Sequence, residues 1–424
     1  MSELSFEPQQ GQQAEPSTEA MSRLESVGLL RSALIDIMPD AETLWSTQQP
    51  DVYSVGGPID ERTPSPPSSG GGLFGLRRRQ IPPPPVIFRG HLAADSTQVY
   101  GLLRERFAAL GYTPLLRRQD GYDMVIALRH LFGSPSAQLK DPRKWVPNVI
   151  LLLLTLVTTT FMGAVLAQGE LLLQNPRLLF QQPRLILTGL PSALTIMSIL
   201  GIHELSHYLV ARRNQIETTL PYFIPVPLGF GTFGAIIHSR TPWETRKALF
   251  DVGLAGPLAG LAVALPLFFI GLLMSPAHPH IPGSVALGSP LLLQWAEMLV
   301  YSIRGIPQEY DIYANAMTFA AWFGVIITGV NLLPVGQLDG GHVAYAVLGR
   351  WARILGVAIL IALIALGALV WSGWYIWAAL IFMSGLQHPA PLNSLEPLGT
   401  KRLVIGALVF VLTILLFSPS PFPV

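Results

Sequence analysis

Long apolar runs separated by short polar breaks dominate the chain from residue 145 onward. Val149 to Leu166 is the first. Leu190 to Ala211 is the second, roughly 33 Å at 1.5 Å per residue, which is enough to cross a bilayer. Val252 to Met274 and Tyr313 to Leu333 follow, with a loop between them that holds His278, His280 and Arg304. Ile354 to Val370, Trp374 to Leu386 and Leu403 to Phe417 are further runs, the last two short, so the count is six or seven. Residues 214–248 are too polar and too often broken by Gly and Pro to span. The pattern predicts a mainly α, polytopic membrane protein over residues 145–418.

Upstream the period changes. Val86 to Leu92 reads as a strand. Asp95 or Ser96 caps a helix to about Leu110, with Val99, Leu102, Leu103 and Phe107 at helical spacing, and Gly111 stops it. Tyr112 to Arg118 and Tyr122 to Arg129 alternate as two strands about a Gln119-Asp120-Gly121 turn. Residues 85–133 are thus expected to be a small α+β accessory domain of β-α-β-β order. It carries no catalytic constellation. Residues 1–84 are rich in Gln, Ser, Pro and Gly and are expected to be disordered, because they bury too little apolar surface to offset ordering entropy. A stripe of Leu24, Val27, Leu30, Leu34 and Ile37 inside Glu19 to Met38 reads as a transient helix in that tail.

Composition agrees with the span pattern. Half of the residues are hydrophobic and only 12% are charged, against roughly 25% in soluble domains. Cysteine is absent, which excludes disulfides, thiolate nucleophiles and cysteine-held metals. The net charge of +1 gives no reason to expect a nucleic-acid partner. Glu3, Glu7 and the many glutamines make the N-terminus polar, unlike a signal peptide. Placing the N-terminal domain in the cytosol puts Arg143, Lys144, Arg212, Arg213, Arg246, Lys247, Arg350, Arg353, Lys401 and Arg402 inside as well. Only Arg177, Arg184 and Arg304 are left to the outer loops.

The chemistry concentrates in Gly201-Ile-His-Glu-Leu-Ser-His-Tyr-Leu209. His203 and His207 are four apart, on one face of a helix and about a turn from each other. Two imidazoles so spaced fit two corners of a tetrahedral zinc site, and Glu204 between them can take a proton from water polarised by the metal. The helix is a membrane span, where such polar groups are costly and point to function. Glu217 and Glu244 lie nearby in sequence as third-ligand candidates. Asp339 is the better one: Pro334 breaks the fourth run, Gly336, Gly340 and Gly341 allow a tight turn, and the aspartate returns to the histidine face. A helix cap at a span end is the alternative reading of Asp339. A structural or sensory metal site in a membrane scaffold or transporter is the alternative to an enzyme.

His203-Glu-Leu-Ser-His207, together with Asn331-x-x-Pro334-x-x-x-Leu338-Asp339-Gly340, resembles the paired signatures of the site-2 proteases, the intramembrane zinc metalloproteases. Asp251 to Gly260, with its Gly-Pro pair, is similar to the family's third core helix. The resemblance covers about residues 185–345, and the N-terminal extension is similar to the cyanobacterial and plastid-type branch. It implies a three-helix catalytic core and one Zn2+ per chain on His203, His207 and Asp339. It makes Glu204 the general base and sets Asn331 near substrate, with His342 beside the site. Substrates would be single-span proteins of the lipid bilayer, cleaved in regulated intramembrane proteolysis. The membrane would be a bacterial cell membrane, or a thylakoid or plastid membrane, with the active site toward the cytosol. The turn-rich Pro221 to Phe250 segment reads as a re-entrant β-hairpin whose edge, at Gly231, Phe233 and Gly234, pairs with an unwound substrate; a hairpin merely covering the helix ends is the alternative.

Overall fold

The computed structural model describes residues 18–44, 85–129 and 145–169, and then residues 172–422 apart from 173, 176, 240, 282, 283 and 285. The chain divides into two compact units, one among the described residues up to Arg129 and one from Trp145 on.

The first unit contains helix α1 (Thr18–Leu34), β1 (Glu42–Leu44), β2 (Val86–Gly90), α2 (Ser96–Ala109), β3 (Tyr112–Gln119) and β4 (Tyr122–Arg129). The strands form one antiparallel sheet in the order β1-β2-β4-β3. Asp120 and Gly121, both at positive φ, make the tight β3–β4 turn, whose twist suits a hairpin. Residues 18–44 correct the expectation of a disordered tail. Leu30 and Leu34 are fully buried, and Ile37 and Met38 nearly so. Arg106 of α2 donates to the Ala33 carbonyl at 3.0 Å. The backbone N–H of His91 donates to the Asp40 carboxylate at 2.8 Å, and β1 pairs with β2. The apolar stripe was legible; its packing beside α2, far along the chain, was not. The rest of residues 1–84 lies outside the described residues.

In the second unit, α3 (Val146–Gln168) and α4 (Leu190–Arg213) precede a two-stranded hairpin of β5 (Tyr222–Pro225) and β6 (Thr232–Ile236). α5 (Arg246–Met274) follows, capped at its start by the Thr245 hydroxyl, which accepts from Ala248 N–H. β7 (Ala277–Pro279), α6 (Leu291–Arg304) and β8 (Tyr310–Ile312) lead to α7 (Ala316–Asn331) and α8 (Asp339–Leu348), then α9 (Trp351–Leu369), α10 (Trp374–Ser384) and α11 (Thr400–Leu416). The stretch read as a loop between the third and fourth runs therefore holds a helix and two short strands. Leu293 and Val300 of α6 are fully buried in the main apolar core, while its other face is exposed.

Four helices, α3, α4, α5 and α9, are long and apolar enough to cross a membrane; α7 and α10 are shorter apolar helices. Six or seven spans would require counting these shorter helices and α11 as well. The core joins α4, α5, α7, α8 and α11 around Ile199, Phe250, Phe268, Trp322, Val343 and Val409. Pro257 and Pro266 lie inside α5 without ending it.

Candidate metal centre

The histidine pair belongs to the C-terminal half of α4. His203, Glu204 and His207 are 5%, 9% and 5% exposed. The face of α5 opposite them is built from glycine. A Cβ at Gly256 would overlap the His207 ring, and one at Gly260 would meet His203 at 3.3 Å. These small residues let α4 and α5 approach closely enough to enclose both imidazoles, so helix packing is the use of the Gly256–Gly260 pair. The Nδ1–H of His207 donates to the Val252 carbonyl at 2.7 Å, which turns its Nε2 toward the centre.

The third side chain arrives from the turn after α7. Pro334 ends that helix and Gly336 takes a positive φ of 56°. Gly340 and Gly341 lie directly against the carbonyls of Leu332 and Gly336, where any side chain would collide with backbone. The chain thereby folds back on itself and α8 starts at Asp339, beside the α4 histidines. His203 Nε2 and Asp339 Oδ2 are 3.2 Å apart, and His207 Nε2 and Asp339 Oδ1 are 3.3 Å apart. The two Nε2 atoms are separated by 3.1 Å. A tetrahedral zinc site with ligands at 2.0–2.2 Å has edges of roughly 3.3 Å. The aspartate turns a different oxygen to each imidazole, and all three side chains bring a ligand atom within 4.8 Å of the others; separations near the tetrahedral edge length, with imidazole and carboxylate as donors, suit zinc.

Among the described residues this is the one group of three His, Asp or Glu side chains whose ligand atoms converge. Glu217, on the surface, and Glu244 are outside it. Asn331 is half-buried on the last turn of α7, next to Leu332, whose carbonyl abuts Gly340.

Residues 191–370 match the family described as Peptidase family M50. The chain carries an M50 peptidase domain. It is homologous to plant proteins named as zinc metalloproteases. "Probable zinc metalloprotease EGY2, chloroplastic" of Arabidopsis thaliana is 35% identical over 249 residues, 57% of this chain and 44% of that protein. The protein of the same name in Oryza sativa subsp. indica is 29% identical over 353 residues, 80% and 62% of the two chains. "Probable zinc metalloprotease EGY1, chloroplastic" of Arabidopsis thaliana is 26% identical over 365 residues, 79% and 66%. The chain thus spans 44% to 66% of the length of these relatives. The M50 match encloses His203, Glu204, His207, Asn331 and Asp339.

The segment between α4 and α5 is an antiparallel hairpin pinned to α3 at two depths. The Asn148 amide donates to the carbonyls of Leu220 and Pro221, both at 2.9 Å. The Thr158 hydroxyl donates to the Gly231 carbonyl at 2.7 Å, about 15 Å further along α3 at 1.5 Å per residue. Beside it the Phe230 ring stacks on Phe323 of α7 at 3.7 Å. Of the three hairpin residues singled out from the sequence, Gly231 packs against α3, where a Cβ would strike the Thr158–Thr159 backbone. Phe233 is 76% exposed, and Gly234, at φ 94°, has open space where a side chain would be.

One residue the sequence reading passed over lies against the α8 turn. His388 Nε2 is 2.8 Å from His342 Nδ1, and His388 Nδ1–H donates to the Pro389 carbonyl at 2.7 Å. Burial, aided by His342, pushes His388 down to about 3; burial likewise pushes His342 to about 4 against the attraction of Asp339. Both rings are therefore neutral near pH 7. No periodicity or spacing links a Gln-His-Pro in a late loop to this site.

Proposed function

We propose that the protein is a multi-pass intramembrane zinc endopeptidase that hydrolyses peptide bonds in or near the transmembrane segments of single-span membrane proteins. The observation that carries this reading is the convergence of His203, His207 and Asp339, whose imidazole Nε2 atoms are 3.1 Å apart and lie 3.2 and 3.3 Å from Oδ2 and Oδ1 of the carboxylate respectively, beside the buried Glu204. The family and the relatives' names support it. Zinc held by these three side chains supplies Lewis acidity, polarising water and the scissile carbonyl. Glu204 is the general base: it accepts the proton of the attacking water and returns it to the leaving amine as the C–N bond breaks. Asn331 is assigned to hold the substrate backbone. Helical substrates hide their amides, and the exposed edge of β6 at Phe233 and Gly234 suits pairing with an unwound stretch, with Gly231 fixing the hairpin on α3.

The proposed organisation has α4, α5 and α7 as a three-helix catalytic core over about residues 185–345, with six or seven spans in all. The small domain at 85–133 is extended by residues 18–44. The positive-inside bias supports an active site on the side of the N-terminal domain. The relatives are named chloroplastic, which supports a plastid-type membrane; the bacterial cell membrane expected from the sequence has no such support.

The reading is tested by stripping the purified full chain with a chelator and assaying a single-span substrate before and after zinc is returned. Cleavage should vanish and then recover. Cleavage that survives removal of all zinc would sink the proposal.

A further inference from the structure

The metal-bearing turn is gripped from a part of the chain that lies beyond the M50 match. The segment between α10 and α11 crosses the start of α5 and the turn before α8. Leu392 and Asn393 donate their N–H groups to the carbonyls of Trp243 and Glu244, each at 2.8 Å, and Lys247 Nζ donates to Glu396 at 2.8 Å. At its other end a Cβ on Gly336 would meet the Gly385 carbonyl at 2.5 Å. Between these anchors His388 reaches His342, with the Tyr345 ring stacked on it at 5.0 Å.

The hydrogen bonds fix direction. A carbonyl only accepts, so His388 Nδ1 carries the proton and its Nε2, in a neutral ring, is an acceptor. His342 Nδ1 must then donate to it. His342 lies on the first turn of α8, and its own N–H donates to the Leu338 carbonyl at 3.0 Å. Its other side faces α5, where a Cβ on Gly253 would meet His342 Cβ at 2.7 Å and the Asp339 carbonyl at 3.1 Å. The turn that carries Asp339 is thus wedged between the glycine face of α5 and the acceptor nitrogen of His388.

We propose that His388 is a positioning residue: by accepting from His342 it holds the first turn of α8, and through it the Asp339 carboxylate, at the metal. This rests on the zinc-site reading above. The chemistry asked of His388 is a single acceptor at the Nε2 position. Glutamine can offer an oxygen there, leucine offers similar bulk with no acceptor, and asparagine is too short to reach.

The test is zinc affinity of the full-length protein in detergent, read by competition with a chelator, for wild type and for His388→Gln, His388→Leu and His388→Asn. Loss of an outer hydrogen-bond partner of a metal site typically costs about 10- to 100-fold in affinity. His388→Leu and His388→Asn should lose that much, with thermal midpoints close to wild type, and His388→Gln should stay within a few-fold of wild type. If one of the two deficient variants does not fold, the other carries the comparison. Wild-type affinity in His388→Leu or His388→Asn, or a Gln variant no better than they are, would overturn the proposal. Failure of wild type itself to bind zinc would be a different result, removing the metal-site reading and this inference together.

Discussion

The Nδ1–H of His207 donates to the Val252 carbonyl of the neighbouring helix at 2.7 Å, across a contact floored by Gly256. One backbone oxygen on α5 thus sets the tautomer and the aim of a side chain on α4. It can do so because Gly256 leaves the space that the His207 ring fills. The orientation of the ligand is a property of helix packing.

Gly256→Ala puts a methyl into the His207 ring, whereas Gly260→Ala presses on His203 at a distance a neighbour can yield to. Zinc per folded chain, measured by elemental analysis, should fall close to zero in the first and stay near one in the second. Equal zinc in both would mean that this face does not support the site.

Asp339→Ala leaves two imidazoles without the carboxylate that closes the triangle. Its zinc affinity should fall by more than the roughly 100-fold upper range for outer-partner losses. Glu217→Ala and Glu244→Ala should bind as wild type, since neither carboxylate is in the converging group. Chelator competition across the three variants separates these outcomes.

The histidine pair, the turn to Asp339 and the apolar helices were legible in the residues because each is a local pattern. A His pair at four-residue spacing, a Pro/Gly-broken turn ending in Asp339 and the apolar runs are each short patterns. What escaped depends on partners distant in the chain. α1 buries Leu30 and Leu34 and gains its place beside α2, whose Arg106 donates to the Ala33 carbonyl from 73 residues further along the chain. α6 is amphipathic, so only Leu293 and Val300 mark its buried side, and a search for continuous apolar runs passes over it. His388 meets His342 across 46 residues of chain, and no period predicts such a bond.

Phe233 gives the β6 edge an apolar contact with nothing of its own chain covering most of it. Phe233→Ala should raise KM for a single-span substrate several-fold, leaving kcat and zinc content near wild type, because it removes binding common to ground and transition states. A fall in kcat with unchanged KM would assign the hairpin another role.

Burial, aided by His342, pushes His388 down to about 3 from an ordinary 6.5. A depressed histidine binds fewer protons folded than unfolded. Its contribution to stability is full above about 6.5 and is lost as pH falls from there toward 3. Thermal midpoints from pH 7 to pH 5 should therefore drop more steeply for wild type than for His388→Gln. Parallel curves would contradict the burial of a neutral ring.

The absence of cysteine makes topology directly measurable. Single-cysteine variants at Glu217 and Lys401 should react with an impermeant thiol reagent from the side of the N-terminal domain, and one at Glu309 from the opposite side. Labelling of all three from one side would contradict the orientation.

The most direct test of the central claim is the purified Glu204→Gln variant in proteoliposomes, assayed for zinc content and for cleavage of a co-reconstituted single-span substrate. One zinc per chain, as in wild type, and no cleavage above background are expected. Cleavage at the wild-type rate by a zinc-loaded Glu204→Gln protein would contradict it.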